Sequence, residues 1–241
     1  VEFRCGVEIG KDVPAKELIE DYDAVLLTIG ATEARPLPIP GSDLEGIHQA
    51  MDFLPQQNKR NAGKTVPNGI LATDKNVIVL GGGDTGSDCH GTSIRQGAKS
   101  VAWIELMPKP PMGKNPISPW PLWPMILRTS SSHEEGGERD WSVLSKEFVG
   151  ENGKVTGVKM VRLEWTTPED GGRPEMKEVE GSEFVLEADI VFLALGFLHP
   201  EQRILDELEL DKDERKNIKA AYGSTGRSEE HTSELQSHLN L

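Results

Sequence analysis

With 241 residues and a net charge of −14, the chain has length for one large domain or two modest ones, and its acidity argues against nucleic acid or an anionic membrane surface as the main partner. No apolar stretch approaches the roughly 20 residues needed to cross a bilayer, and the N-terminus lacks the charged and apolar regions of a secretory signal, which points to a cytoplasmic protein. The two cysteines, Cys5 and Cys89, form no C-x-x-C pair, so these residues supply no iron–sulfur cluster, structural zinc quartet or redox dithiol.

The chain opens at Val1 without an initiator methionine, and residues 1–7 read as a strand entered midway, so a fragment is expected. A turn at 10–14 and a short helix over 15–20 follow. Residues 22–31 (Tyr-Asp-Ala-Val-Leu-Leu-Thr-Ile-Gly-Ala) are a nearly continuous apolar run closing on small residues, the pattern of a buried parallel strand. Prolines 36, 38 and 40 make 35–41 a linker, because each lacks an N–H and restricts its predecessor. Residues 47–57 are expected to be helical, and 59–68 to be a polar connection.

Next comes Val77-Ile78-Val79-Leu80-Gly81-Gly82-Gly83-Asp84-Thr85-Gly86, with a helix expected over 87–96. Gly81, Gly83 and Gly86 fill a G-x-G-x-x-G frame: the first for a tight turn, the second for close approach of backbone to a pyrophosphate, the third for close packing of helix on strand. The helix N-terminus offers unpaired N–H groups and partial positive charge to an anion. A second apolar run, 100–104, ends in Glu105, 19 residues after Gly86. That matches the acid expected about 20 residues on in a dinucleotide site; a structural strand–helix–strand turn is the alternative. Cys89, in the helix after the loop, reads as packing.

Beyond Glu105, prolines 108, 110, 111, 116, 119, 121 and 124 interleave with Trp120 and Trp123, an irregular segment that suits a ligand or partner surface and equally a cap over the core. His133 beside Glu134 and Glu135 has no second histidine at ligand spacing, so no metal site is assigned. Residues 141–187 read as antiparallel, with a type I′ hairpin at Asn152-Gly153 between 141–149 and 155–165, a polar loop over 166–174 and a short strand near 184–186. The run 188–196 echoes 22–30 at an offset of 166, pairing Asp23 with Asp189, Val25 with Val191, Leu27 with Leu193 and Gly30 with Gly196; a chance match between two buried strands, which share composition, is the alternative. The residues thus indicate an α/β fold, a Rossmann-like domain with a parallel sheet and an antiparallel meander.

These motifs, with 105–111, 115–141 and 188–197, resemble the two-dinucleotide flavoprotein oxidoreductases, in particular the small (beta) subunit of glutamate synthase, over residues 1 to about 226. The resemblance implies an NAD(P)H-binding domain (61–196) inserted into a truncated FAD-binding domain (1–60 and 197–226). It also implies FAD in the full-length protein, Fe–S clusters in a missing region, and a glutamate synthase large (alpha) subunit as partner. Electrons would pass from NAD(P)H through FAD and the clusters to make glutamate from glutamine and 2-oxoglutarate. Gly81, Gly82, Gly83, Asp84, Thr85, Gly86 and Glu105 become cofactor-binding candidates. Thr28, Gly30, Ala31, Gly196 and Phe197 are implied near the flavin, with ordinary strand ends as the alternative. No catalytic residue is named, because hydride transfer needs binding and orientation rather than a protein nucleophile. Another flavoprotein of the group, pyrimidine-reducing or ferredoxin-coupled, and a non-catalytic nucleotide-binding module remain open.

At the end of the second strand the Glu105 carboxylate would accept both adenosine ribose hydroxyls and repel a 2′-phosphate, favouring NADH, unless it faces solvent and selects nothing. Lys109 and Arg95 argue the other way, though Pro108 and Pro110 restrict Lys109. Residues 227–241 depart from the resemblance and read like a translated sequencing-library adapter, so they are expected not to belong to the natural gene.

Overall fold

The computed structural model describes residues 1–112, 126–166 and 174–219. The chain divides into two compact units, one of Pro36–Gly196 and one of Val1–Arg35 with Phe197–Leu241. Trp120 and Trp123, the middle of the loop after Trp165, and the tail from 227 lie outside the described residues.

In the Pro36–Gly196 unit, a parallel sheet carries the site. Its strands are β1 (Ile47–Gln49), β2 (Asn76–Leu80), β3 (Ser100–Ile104), β4 (Glu138–Asp140) and β9 (Ile190–Leu193), in the order β1-β9-β2-β3-β4. The continuous apolar character of β2 and β9 follows from burial on both faces. Val77 and Val79 point into a cluster with Phe53 of α2 (Ala50–Asn61), Cys89 of α3 (Gly83–Arg95) and Trp103. Ile78 and Leu80 point the other way, into a cluster with Val143, Phe148, Val158 and Met160. Phe53 stacks on Phe192 at 4.1 Å between centroids, and both are fully buried; each such side chain contributes about 1.5–3 kcal/mol. Asp189 ties the starts of β2 and β9, accepting the Asn76 N–H at its carboxylate at 2.7 Å.

The second cluster is roofed by an antiparallel sheet. β5 (Val143–Glu151) and β6 (Lys154–Thr166) form the expected hairpin, with Asn152 at φ 53 and Gly153 at φ 79 in the turn. β6 also pairs with β7 (Glu175–Glu178) and β8 (Phe184–Glu187). β7 carries no apolar pattern and is exposed along its length, so nothing in its sequence marks it.

Several expectations need correction. Residues 47–57 are not one helix: β1 takes Ile47–Gln49 because β9 offers a parallel neighbour, and the helix begins at Ala50, where the Asp52 carboxylate accepts the Gln49 N–H at 3.3 Å. That helix runs to Asn61, into the expected polar connection. β1 and α2 pack with β9, and the compact unit that holds them begins at Pro36. The linker residues Leu37 and Ile39 are packed against the core.

In the other unit, α1 (Ala15–Asp21) and α5 (Gln202–Glu207) are helical, with Ala15 and Leu205 fully buried. Arg203 reaches Glu8 at 2.6 Å. Residues 1–7 and 22–31 are not strands. The latter run has no regular secondary structure, no described segment forms a ladder beside it, and Leu26 is 83% exposed. Composition suits a strand; hydrogen-bonded neighbours make one. The echo between 22–30 and 188–196 therefore does not extend to structure, since β9 is buried throughout between β1 and β2.

Candidate functional site

The glycine loop leaves β2 between two neighbours, β9 on one side and β3 on the other. In open parallel sheets the crevice beyond the carboxyl ends at such a switch point is where ligands sit. Helix α3 starts at Gly83, four residues earlier than expected, so Asp84, Thr85 and Gly86 form its first turn. The cause is that Gly82 already takes the N-cap position, and no side chain caps it. The first-turn N–H groups thus face the loop without an intrahelical partner and favour an anion. Gly83 and Asp84 are exposed, and open space surrounds Gly83 where a Cβ would sit. At Gly86 a Cβ would stand 2.7 Å from the Gly81 carbonyl oxygen and 3.1 Å from the Trp103 indole nitrogen, so only glycine lets α3 approach β2 and β3 this closely.

Glu105 completes this edge. Its carboxylate lies against Gly82, inside the space a Cβ there would need. It does not face bulk solvent: burial pushes its carboxyl above the usual range, and the Arg139 guanidinium draws it back. Glycine loop, helix N-terminus and acid therefore meet at one place. The donor set fits a dinucleotide, with unpaired N–H groups for a pyrophosphate and a carboxylate acceptor for ribose hydroxyls.

Arg95 is excluded from that place. It sits in the last turn of α3, about 18 Å along the axis from Gly83, and its guanidinium pairs with Glu135. Lys109 is turned to another group, its ammonium 4.8 Å from the centroid of the Trp141 ring.

The floor beneath the loop is made by residues that the sequence did not single out as a site. The Trp103 indole N–H donates to the Gly81 carbonyl, and its ring stacks on His133 at 4.6 Å. His133 lies on α4 (Ser131–Glu134), where its Nδ1 accepts the Ser130 N–H at 2.8 Å. Burial, reinforced by Arg139 and His90, lowers its pKa to about 4. It is a neutral packing group. Ser87 of α3 joins Ser130 and Ser132 through hydroxyl contacts of 2.8 and 2.6 Å, fastening α4 to α3. Cys89 is fully buried, and burial pushes its thiol up to about 12, which makes it inert packing. The short strand β4, with Arg139 at its centre, pairs in parallel with β3; a Glu-Arg-Asp run carries no apolar signal that could have announced it.

Of the remaining candidates, Gly196 closes the unit that holds the glycine loop and is exposed with φ 79. Thr28, Gly30, Ala31 and Phe197 belong to the other unit. There Phe197 bridges Ala34, and the Glu33 N–H donates to the His199 carbonyl at 3.2 Å.

Residues 4–120 match the family model for pyridine nucleotide-disulphide oxidoreductases. A glutamate synthase [NADPH] small chain from Mycobacterium tuberculosis is 47% identical over 223 residues, covering 90% of this chain and 44% of that one. The chain is a homologue of the glutamate synthase small chains. Glutamate synthase [NADH] from Schizosaccharomyces pombe is 45% identical over 229 residues, 90% of this chain and 11% of that protein. The chain thus spans less than half the length of these relatives. The structure of Mycobacterium tuberculosis FprA in complex with NADPH shares the fold, with a TM-score of 0.61 at 20% identity over 92% of this chain and 59% of that one.

Proposed function

We propose that Pro36–Gly196 binds a nicotinamide dinucleotide, with the pyrophosphate over Gly81, Gly82, Gly83, Asp84, Thr85 and Gly86 and the adenosine ribose at Glu105. The meeting of the Glu105 carboxylate with Gly82 at the N-terminus of α3 carries this reading. Bound NAD(P)H supplies a hydride; the chain's own task is to hold and orient it, and no side chain is required as nucleophile. Because Glu105 is turned inward, a 2′-phosphate there would meet a carboxylate of like charge, which supports NADH over NADPH.

The homology to glutamate synthase small chains supports a larger assignment. The chain is part of an NAD(P)H-dependent flavoprotein oxidoreductase that passes electrons through FAD and Fe–S clusters to a large subunit forming glutamate from glutamine and 2-oxoglutarate. In this reading Val1–Arg35 and the residues from 197 on are pieces of the FAD-binding domain, with Thr28, Gly30, Ala31, Gly196 and Phe197 toward the flavin. The setting is cytoplasmic; no helix among the described residues is long and apolar enough to cross a membrane.

Titration of NADH and NADPH into the wild type and Glu105→Ala tests the cofactor assignment. The wild type is expected to prefer NADH, and the substitution to erase that preference. A wild type that prefers NADPH, or a variant with unchanged preference, overturns it.

A further inference from the structure

The parallel register of β3 and β4 pairs Trp103 with Arg139 and Ile104 with Asp140. The ladder continues one step further, where the Glu105 N–H donates to the Asp140 carbonyl at 2.9 Å. Side chains alternate along an extended backbone, so Trp103 and Glu105 share a face, and Arg139 stands beside the first and diagonal to the second. The Arg139 guanidinium is held by other groups. Its carbon lies 4.5 Å from the Trp103 ring centroid and 5.0 Å from that of Trp141, and its Nη1 donates to the Arg128 carbonyl at 3.2 Å. No ion pair of 4.0 Å or less joins it to Glu105.

We infer that Arg139 is a positioning residue for the nucleotide site: clamped on two indoles diagonal to Glu105, it holds a fixed positive charge beside that carboxylate while leaving both oxygens free for the ribose hydroxyls. A direct bidentate pair would hold the charge equally well, but it would occupy the acceptors. Burial acting alone would favour a protonated Glu105, which could accept fewer hydrogen bonds and would repel a 2′-phosphate less. The influence is mutual, since Glu105 supports the charge of Arg139 against its own burial. Other ionisable groups around the pair are His90 on α3 and His133 on α4, both kept neutral at pH 7 by burial. Lys109 lies over the Trp141 ring, and Asp140 is engaged by Arg162 at 2.7 Å. The inference rests on the reading of Glu105 as the ribose acceptor.

The test is calorimetric titration of NADH and NADPH into the full chain between pH 5 and 9, for the wild type, R139M, R139Q, R139K and E105Q. NADH affinity is expected to fall as pH drops through the Glu105 titration. R139M and R139Q should move that midpoint upward by about one unit, equivalent to roughly fivefold weaker binding at the wild-type midpoint and approaching about tenfold below it. R139K should keep the midpoint near that of the wild type, and E105Q should flatten the profile. Isotope-detected titration of the Glu105 carboxyl in the nucleotide-free R139K and wild-type chains reads the same midpoint without ligand, should the neutral variants fail to fold; a Glu105 still protonated at pH 7 in the wild type overturns the inference. An unchanged midpoint in R139M or R139Q, with E105Q still effective, sinks the role of Arg139 and leaves that of Glu105 standing. If E105Q binds NADH like the wild type, the ribose reading itself fails. Selective loss of NADPH affinity in R139M makes Arg139 a phosphate ligand, which also overturns the inference.

Discussion

Gly82 lies directly against the carboxylate of Glu105, although 23 positions separate them in the chain, and a methyl group on Gly82 would take the space that carboxylate fills. Because the methyl group would meet only the movable end of the Glu105 side chain, Gly82→Ala is expected to push the carboxylate aside at a cost of about 1 kcal/mol, the low end for overpacking. In a Glu105→Ala background the same substitution should cost less, giving a coupling of about 0.5–1 kcal/mol in a double-mutant cycle. Urea denaturation of the four proteins measures this; additive effects would show that the two residues do not compete for space.

His133 links stability to pH. Its Nδ1 accepts a backbone N–H, so the fold requires the neutral ring, and its pKa in the fold is about 4. An unfolded histidine titrates near 6.5. Between those values the unfolded chain holds the extra proton, so stability is whole above pH 6.5 and falls as pH is lowered toward 4. His90 is lowered by burial and acts in the same direction, whereas Glu105 is raised by burial and acts in the opposite one. The readout is thus the difference between proteins: the wild type should lose more stability than His133→Phe over this window, and parallel curves would refute the linkage.

The hairpin turn gives a control remote from the nucleotide. Gly153 has φ 79 and open space where a Cβ would sit, so Gly153→Ala introduces backbone strain without a clash. It should cost about 1–2 kcal/mol and leave NADH affinity unchanged within twofold. A larger affinity change, measured by the same titration, would mean that the turn and the glycine loop are coupled.

Flavin retention separates the two units. FAD needs its own phosphate-binding loop, and the described residues of Val1–Arg35 and 197–219 contain no strand, glycine loop and helix in sequence. The 241-residue chain is expected to purify colourless while still binding a nicotinamide nucleotide. A stoichiometric flavin absorbance spectrum after purification would reverse that expectation.

The parts of the site that were legible in the sequence are those specified by local chemistry. An apolar run breaking into glycines, an acid at fixed spacing, and an Asn-Gly turn each constrain the backbone within a few residues, and each appears where expected. What could not be read depends on partners far along the chain. β1 and β4 are three residues each, with Ile47 the single apolar residue among the six, and exist because β9 and β3 offer ladders. Arg139 reaches the site only through the register that sets it beside Trp103, a relationship across 36 positions. Conversely, residues 22–31 have the composition of a strand and lack a described neighbour to make them one. The helix start was misplaced for a local reason: glycine at the N-cap and first turn was read as loop, where a helix can begin without any capping side chain.

The parallel sheet ends on its two shortest strands. β1 presents Ile-His-Gln and β4 presents Glu-Arg-Asp at the margins, while the longer apolar strands stand between them. A foreign strand seeking exposed N–H and carbonyl groups would find only three residues to pair with on either side, and charges along one of them. Short, charged margins are how natural sheets resist edge-to-edge polymerisation, so the apolar centre of this unit is shielded from fibrous self-assembly by the very segments whose sequences look least like strands.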